Sequence, residues 1–217
     1  LLDMMKRANF FAVFVGIESP YTKTLISAQK KQNTRRSLAD SVHKIYGAGM
    51  MVLAGFIVGF DTEEGGVAEG MIDCIEATSI PVCMVGLLTA LPGTQLTRRL
   101  EKEGRLLPFQ NVDGGDQCTS GLNFVPLRPR QEILEDYKAV LTAVYEPAAY
   151  FERVRMVGRQ LRRPSHRVKL LPRIVVRDLS ALLRVMWRMT IARPDLRRHF
   201  WRTFVDIAWH NPSALQV

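Results

Sequence analysis

Residues 50–60 (MMVLAGFIVGF) decide the fold, because they form an unbroken run of uncharged, mostly apolar side chains. Such a run is typical of a strand that is buried on both faces of a parallel sheet. Two further runs of this kind lie at 10–17 (FFAVFVGI) and 80–88 (IPVCMVGLL). We therefore expect three buried strands in this part of the chain.

Helical patterns alternate with these strands. An apolar stripe at helical spacing lies within 38–45 and follows a predicted N-cap at Asn33 or Thr34. Residues 62–64 (TEE) are expected to cap a second helix, and residues 96–103 form a third, short one. The order β-α-β-α-β-α predicts an α/β fold with parallel strands and right-handed crossovers. Three such repeats make half of a barrel or half of an open sheet.

The chain changes character after residue 109. Residues 110–120 (QNVDGGDQCTS) are polar and rich in Gly and Asp, which is typical of a loop at a domain boundary. We therefore divide the chain into an α/β domain at 1–109, a linker loop at 110–130 and a helical domain at 131–217. Within the helical domain, amphipathic patterns predict helices at 131–145, 151–161, 178–191 and 194–209.

Charge is distributed unevenly along the chain. The formal net charge is +9, of which residues 1–149 contribute −2 and residues 150–217 contribute +11. Three interpretations of the basic part stay open: solvated faces of helices packed on the core, amphipathic helices lying on anionic lipid, and nucleic-acid binding. No nucleic-acid motif is visible, so no such partner is expected. Peripheral membrane contact through 150–217 stays a prediction.

The cysteines and the apolar runs indicate the cellular compartment in which the protein is expected. Cys74, Cys83 and Cys118 are odd in number and widely spaced, which argues against a disulfide framework and favours a reducing compartment. No transmembrane segment is predicted, because the uncharged runs are either short or divided by Pro and Gly. We therefore expect a cytoplasmic protein, with membrane contact limited to its surface.

Polar or glycine-containing segments follow each of the three strands. They are Gly16-Ile17-Glu18-Ser19, residues 55–63 (GFIVGFDTE) and Leu91-Pro92-Gly93-Thr94. In parallel α/β folds the carboxyl ends of the strands face the ligand. Taken singly, each segment is explained at least as well by an ordinary turn. A P-loop and a G-x-G-x-x-G dinucleotide fingerprint are both absent from the sequence.

Taken together and in this order, the three segments resemble the second half of a radical S-adenosylmethionine (radical SAM) enzyme core. The resemblance implies a fold class: the second half of a partial (β/α) barrel, followed by an all-helical C-terminal extension. It also implies cofactor-binding residues. Glu18 and Ser19 lie in the segment that faces the ribose of S-adenosylmethionine, with Glu18 hydrogen-bonding its hydroxyls. Lys30 faces the carboxylate of the same cofactor.

The remaining cofactor contacts implied by the resemblance come from the second and third segments. Gly55 and Ile57 line the adenine site, and Leu91 presents its backbone to it. A radical SAM enzyme also holds a [4Fe–4S] cluster on a C-x3-C-x2-C triad. The three cysteines of this sequence are too far apart to form that triad, so the cluster ligands are not expected in this chain. No catalytic or metal-binding residue is predicted.

Two C-terminal segments, residues 123–126 (NFVP) and 145–153 (YEPAAYFER), resemble the helical extension of one radical SAM subgroup. That subgroup carries an N-terminal cobalamin-binding domain, and hopanoid C-2 methylase is a member. The resemblance implies a fragment of a methyltransferase acting on an unactivated carbon of a lipid-like or other small substrate, with S-adenosylmethionine, a cluster and cobalamin in the intact enzyme. The isolated 217 residues are expected to be inactive.

Two alternatives from other functional classes stay open. One is a cluster-less protein that binds S-adenosylmethionine or a related nucleoside. The other is a peripheral membrane or interaction module built on the basic C-terminal helices.

Overall fold

The computed structural model describes residues 1–30, 37–107, 121–161 and 172–216. At its centre lies a parallel sheet of three strands in the order β1-β2-β3. The strands are β1 (Ala12–Glu18), β2 (Met51–Val58) and β3 (Val82–Leu87). The sequence prediction of three parallel strands is therefore confirmed, with each end within two residues of its expected position.

Five helices accompany the sheet: α1 (Leu2–Arg7), α2 (Thr22–Ser27), α3 (Leu38–Gly47), α4 (Val67–Thr78) and α5 (Gln95–Lys102). The sequence did not predict α1 and α2, which have only six residues each. The N-cap of α3 is Ser37, whose side chain accepts the Asp40 N–H. The predicted caps Asn33 and Thr34 lie outside the described residues.

The predicted start of α4 at residues 62–64 is wrong. The helix begins at Val67, after Gly66 in the left-handed conformation at φ 82°. Glu63 does not cap it, because this side chain turns inward and is buried. The short predicted helix at 96–103 is confirmed as α5, which Thr94 caps by accepting the Thr97 N–H.

The C-terminal part of the described chain is helical, as predicted. Its elements are α6 (Arg130–Val144), α7 (Pro147–Gln160), α8 (Pro172–Trp187), a π-helical turn (Arg188–Ala192), α9 (Arg197–His210) and a 3-10 helix (Pro212–Gln216). Helix α7 starts earlier than expected because Pro147 suits the first helical turn and Glu146 accepts the Ala149 N–H. No helix in the described ranges is long and apolar enough to cross a membrane.

Among the described residues, helices cover one face of the sheet and leave the other open. Along β2 the buried residues alternate, and Val52, Ala54, Phe56 and Val58 pack with the apolar sides of α3, α4 and α6. Within the described part of the chain the strands are buried on one face, so the expectation of burial on both faces is not met there. On the opposite face, the described residues leave Phe14 and Met84 exposed.

Buried polar contacts fasten the C-terminal helices to the sheet. The guanidinium of Arg153 in α7 is 1% exposed and donates to the Ile80 carbonyl at 3.0 Å. It also donates to the Val144 carbonyl and pairs with the Glu76 carboxylate. Helix α6 thus packs on the same core as the sheet. The predicted linker at 110–130 lies largely outside the described residues, and the domain division stays a prediction.

Candidate functional site

The candidate site lies on the uncovered face of the sheet, towards the carboxyl ends of its strands. A cavity of about 170 Å³ opens there between all three strands. The residues that line it are Phe14, Gly16, Glu18, Gly55, Phe56, Ile57, Met84, Val85 and Gly86. The cavity therefore joins a carboxylate to apolar side chains and exposed backbone.

Glu18 owes its position to an irregularity at the end of β1. Gly16 pairs with Gly55 and Glu18 pairs with Phe56, so Ile17 is an extra residue that bulges from the ladder. Ile17 is buried, whereas Glu18 adopts a left-handed backbone at φ 67° and borders the cavity. The bulge therefore re-aims the carboxylate at the point where the strand ends.

Lys30 meets Glu18 at this edge. Its Nζ lies 3.1 Å from Glu18 Oε1, and the Lys30 and Glu18 side chains are 40% and 17% exposed. An ammonium and a carboxylate that are adjacent and still partly open to solvent can each bind a group of opposite polarity. The ion pair thus places two complementary charges beside the cavity.

Two glycines make room for these side chains. A Cβ on Gly16 would lie 2.7 Å from Glu18 Oε1, closer than real contacts allow. A Cβ on Gly55 would lie 3.1 Å from Cζ of Phe14, whose ring packs over this glycine. Any side chain at Gly16 would therefore displace the carboxylate, and one at Gly55 would press on the ring.

Four of the six residues predicted from the sequence come together here, and two do not. Glu18, Gly55 and Ile57 line the cavity, and Lys30 joins them through its ion pair. Ser19 is 1% exposed and its hydroxyl accepts the Tyr21 N–H at 3.3 Å, which stabilises the turn before α2. Leu91 does not line the cavity.

The Leu91 carbonyl is engaged in its own turn. It accepts hydrogen bonds from the Thr94 and Thr97 hydroxyls at the start of α5. The segment 91–94 therefore serves to start a helix in this structure.

Sequence reasoning missed Phe14 and Met84. Both lie on the uncovered face and are 58% and 61% exposed. The sequence held a signal for Phe14, which precedes Gly16 by two residues and therefore shares its face of the strand. Met84 lies beside Gly55 through the sheet register, which only the structure shows. The prediction that both faces are buried concealed it.

A buried carboxyl braces the loop after β2. Glu63 Oε2 accepts the Gly59 N–H at 2.8 Å, and Arg128 approaches only to 3.9 Å because it binds Asp136 at 2.7 Å. Burial raises the pKa of Glu63 to about 7, although the N–H groups of Gly59 and Phe60 lower it. Glu63 thus fixes the end of the strand that carries Gly55 and Ile57.

The described residues do not fit an iron–sulfur cluster. Burial raises the pKa of the Cys74 thiol to about 11 and that of Cys83 to about 12, so both are protonated at neutral pH. Within the described ranges, no group of three or more His, Cys, Asp or Glu side chains could hold a metal ion. Cys118 lies outside these ranges.

The fold and the cavity define a class: a parallel α/β unit with a candidate small-molecule site at the carboxyl ends of its strands. Residues 94–217 match the family described as "Domain of unknown function (DUF4070)". The chain belongs to this family, whose domain is found in radical SAM and cobalamin-binding enzymes.

Two curated proteins are similar to this chain over most of its length. The "Uncharacterized methyltransferase sll1242" of Synechocystis sp. is 40% identical over 217 residues, which is 100% of this chain and 40% of the relative. The "Hopanoid C-2 methylase" of Rhodopseudomonas palustris is 29% identical over 206 residues, which is 93% of this chain and 37% of the relative. The chain thus spans about 40% of the length of these relatives.

Proposed function

We propose that this chain supplies the S-adenosylmethionine-binding half of the barrel in a radical SAM methyltransferase. The observation that carries the proposal is the Glu18–Lys30 ion pair beside the glycine-lined cavity. The similarity to two relatives named as a methyltransferase and a methylase supports the reaction class.

The residues at the cavity fit the parts of S-adenosylmethionine. The Glu18 carboxylate is suited to accept hydrogen bonds from ribose hydroxyls, and the Lys30 ammonium is suited to pair with the cofactor's carboxylate. Ile57 and the ring of Phe14 offer apolar contact to a flat base, which can approach because Gly55 has no side chain.

S-adenosylmethionine supplies either a methyl group or, in radical SAM enzymes, a 5′-deoxyadenosyl radical that abstracts hydrogen from an unactivated carbon. The part of the chain described here binds and orients the nucleoside and leaves cluster chemistry to other residues. Methyl donation by cobalamin belongs to the proposal because the domain family occurs in cobalamin-binding enzymes. A small lipid-like substrate belongs to it because one relative is named a hopanoid methylase.

The uncovered face of the sheet supports the barrel interpretation. Parallel sheets are usually covered on both faces, either by helices or by closure into a barrel. Here the helices pack on one face, and the cavity lies on the other. In the proposed partial barrel this second face is the interior. The 217 residues alone are then expected to bind the cofactor and to transfer no methyl group.

The test is binding of S-adenosylmethionine to the 217-residue chain, followed by NMR with ¹⁵N-glycine. The chain has 15 glycines, so its spectrum is simple enough to assign. We expect the amide signals of Gly16, Gly55 and Gly86 to shift with added cofactor. Glu18→Gln should weaken binding about 10- to 100-fold, the range for losing a hydrogen bond to a charged group.

A matched pair of glycine variants provides the control. Gly16→Ala forces a Cβ against the Glu18 carboxylate and should abolish the shifts, whereas Gly47→Ala meets no atom within 4 Å and should preserve them. If added S-adenosylmethionine shifts none of the amide signals of the glycines that line the cavity, the proposed site is refuted. Equal binding by the two alanine variants would refute the role of the Glu18 carboxylate.

A further inference from the structure

Helix α8 has an apolar stripe that the described chain does not cover. Val176, Leu179, Leu183 and Trp187 recur at helical spacing and therefore share one face. Their exposed fractions are 67%, 53%, 56% and 62%. Apolar residues on a soluble helix normally point into a core, so an exposed stripe of this length indicates a surface that binds something.

A second stripe on the same helix is basic. Arg177 and Arg184 of α8, and Arg188 at the start of the π-helical turn that continues it, follow one another at spacings of seven and four residues, so they run beside the apolar stripe. The single acid of α8, Asp178, pairs with Arg177 at 3.0 Å. Residues 172–216 hold eight arginines and three aspartates, a net charge of +5.

The surroundings of α8 also indicate a partner. A solitary helix of 16 residues is marginally stable in water. Helix α8 runs directly into the π-helical turn, and no other described element packs extensively against it. An amphipathic helix with arginines beside its apolar stripe and a tryptophan in that stripe is typical of the membrane interface. No described helix is suited to span a bilayer, so this one would lie in the plane of its surface.

We propose that α8 binds the surface of a membrane that contains anionic lipid. Val176, Leu179, Leu183 and Trp187 enter the boundary between headgroups and acyl chains, and the arginines contact phosphate groups. A second copy of the chain fits this face less well, because it would bring another +5 of like charge to the contact. The proposal is independent of the cofactor site.

The test is co-sedimentation of the 217-residue chain with vesicles of phosphatidylcholine, with or without roughly a third of phosphatidylglycerol. We expect binding to the anionic vesicles and release when NaCl is raised from 0.1 to 0.5 M, because salt screens the attraction. Arg184→Gln with Arg188→Gln should lower the partition coefficient about 25-fold, since each basic residue near the surface contributes about fivefold.

Two single variants separate the apolar contact from the charge. Leu183→Glu and Ala181→Glu add the same charge to α8, on the apolar face and on the opposite side respectively. Leu183→Glu should reduce partitioning about thirtyfold or more and Ala181→Glu only about fivefold. Leu183 is half exposed, so its replacement should leave the fold intact, which circular dichroism would verify.

Three outcomes would overturn the proposal. The chain would remain in the supernatant with anionic vesicles, or it would bind zwitterionic vesicles equally well at every salt concentration. In the third, sedimentation velocity would show a dimer that Leu183→Glu converts to a monomer, which would assign the face to a second copy.

Discussion

Replacing Glu63 by Gln should stabilise the protein at alkaline pH and flatten its stability profile. The Glu63 side chain is fully buried, and its Oε1 makes no hydrogen bond among the described residues. Its pKa is raised to about 7, with burial as the main cause. Glutamine keeps the shape and an oxygen for the Gly59 N–H but cannot ionise.

The magnitude follows from the two protonation states. An ordinary Glu in the unfolded chain loses its proton near pH 4.5, whereas the folded carboxyl keeps its proton up to about pH 7. Between these values the folded state binds more protons than the unfolded state, so the free energy of unfolding falls as the pH rises. At 1.36 kcal/mol per pKa unit the whole loss is about 3 kcal/mol, of which about 2 kcal/mol falls between pH 5.5 and 8.

Urea unfolding at pH 5.5 and pH 8 measures this difference. The native chain should lose about 2 kcal/mol more than Glu63→Gln over this interval. Glu64→Gln is the matched control, because Glu64 is an exposed neighbour paired with Lys23, and it should retain the native profile. A difference between native and Glu63→Gln chains that does not change with pH would refute the reasoning. Glu63 would then be ionised throughout, stabilised by Arg128.

Two further predictions concern the attachment of the C-terminal helices, and urea unfolding tests both. Arg153→Met should lower the free energy of unfolding by about 3–5 kcal/mol, because it leaves two buried carbonyls and Glu76 without their donor. Arg159→Met removes another arginine of α7 and breaks only its solvent-exposed pair with Asp206 of α9, so it should cost little, and equal losses would contradict this account. Gly158→Val should cost about 1–3 kcal/mol, because a Cβ there would lie 2.7 Å from Ile207 Cδ1. Adding Ile207→Ala should recover part of that loss, and strict additivity of the two changes would count against the contact.

The strands and most of the helices could be predicted from the sequence because their periodicity is strong. The apolar runs at 10–17, 50–60 and 80–88 all became strands of one parallel sheet. The short helix α2 could not be predicted, since six residues carry too little periodic signal. The predicted start of α4 was misplaced because Glu63 is a residue type that commonly caps helices. In the structure its side chain is buried under the loop instead.

The candidate site was predictable only in part. Glu18, Lys30, Gly55 and Ile57 were identified through the resemblance to the radical SAM core, and the structure brings them together. The bulge at Ile17 could not be predicted, because the apolar run at 10–17 passes through it without any break in the pattern. The uncovered face was also missed, since a continuous apolar run looks the same whether one or both faces are buried.

The backbone conformations give an independent reason to regard this edge of the sheet as functional. Five non-glycine residues in the described chain have a positive φ. Asn9, Gln29 and Ser79 follow the ends of helices, where a left-handed residue is common. Glu18 and Leu122 close no helix, and a glutamate or leucine in this conformation costs about 1–2 kcal/mol.

Both of these strained residues lie where the strands end. Glu18 borders the cavity. Leu122 packs closely on Gly59, because a Cβ added to Gly59 would lie 2.8 Å from Cδ2 of Leu122. Strain of this kind persists only where the surrounding structure enforces it, and in proteins it concentrates at ligand sites. Here Glu18 is held by its pairing with Phe56 of β2, and Leu122 is held by the hydrogen bond from its N–H to the Leu88 carbonyl. These contacts hold the end of the sheet in one conformation. A binding site for a cofactor requires this property.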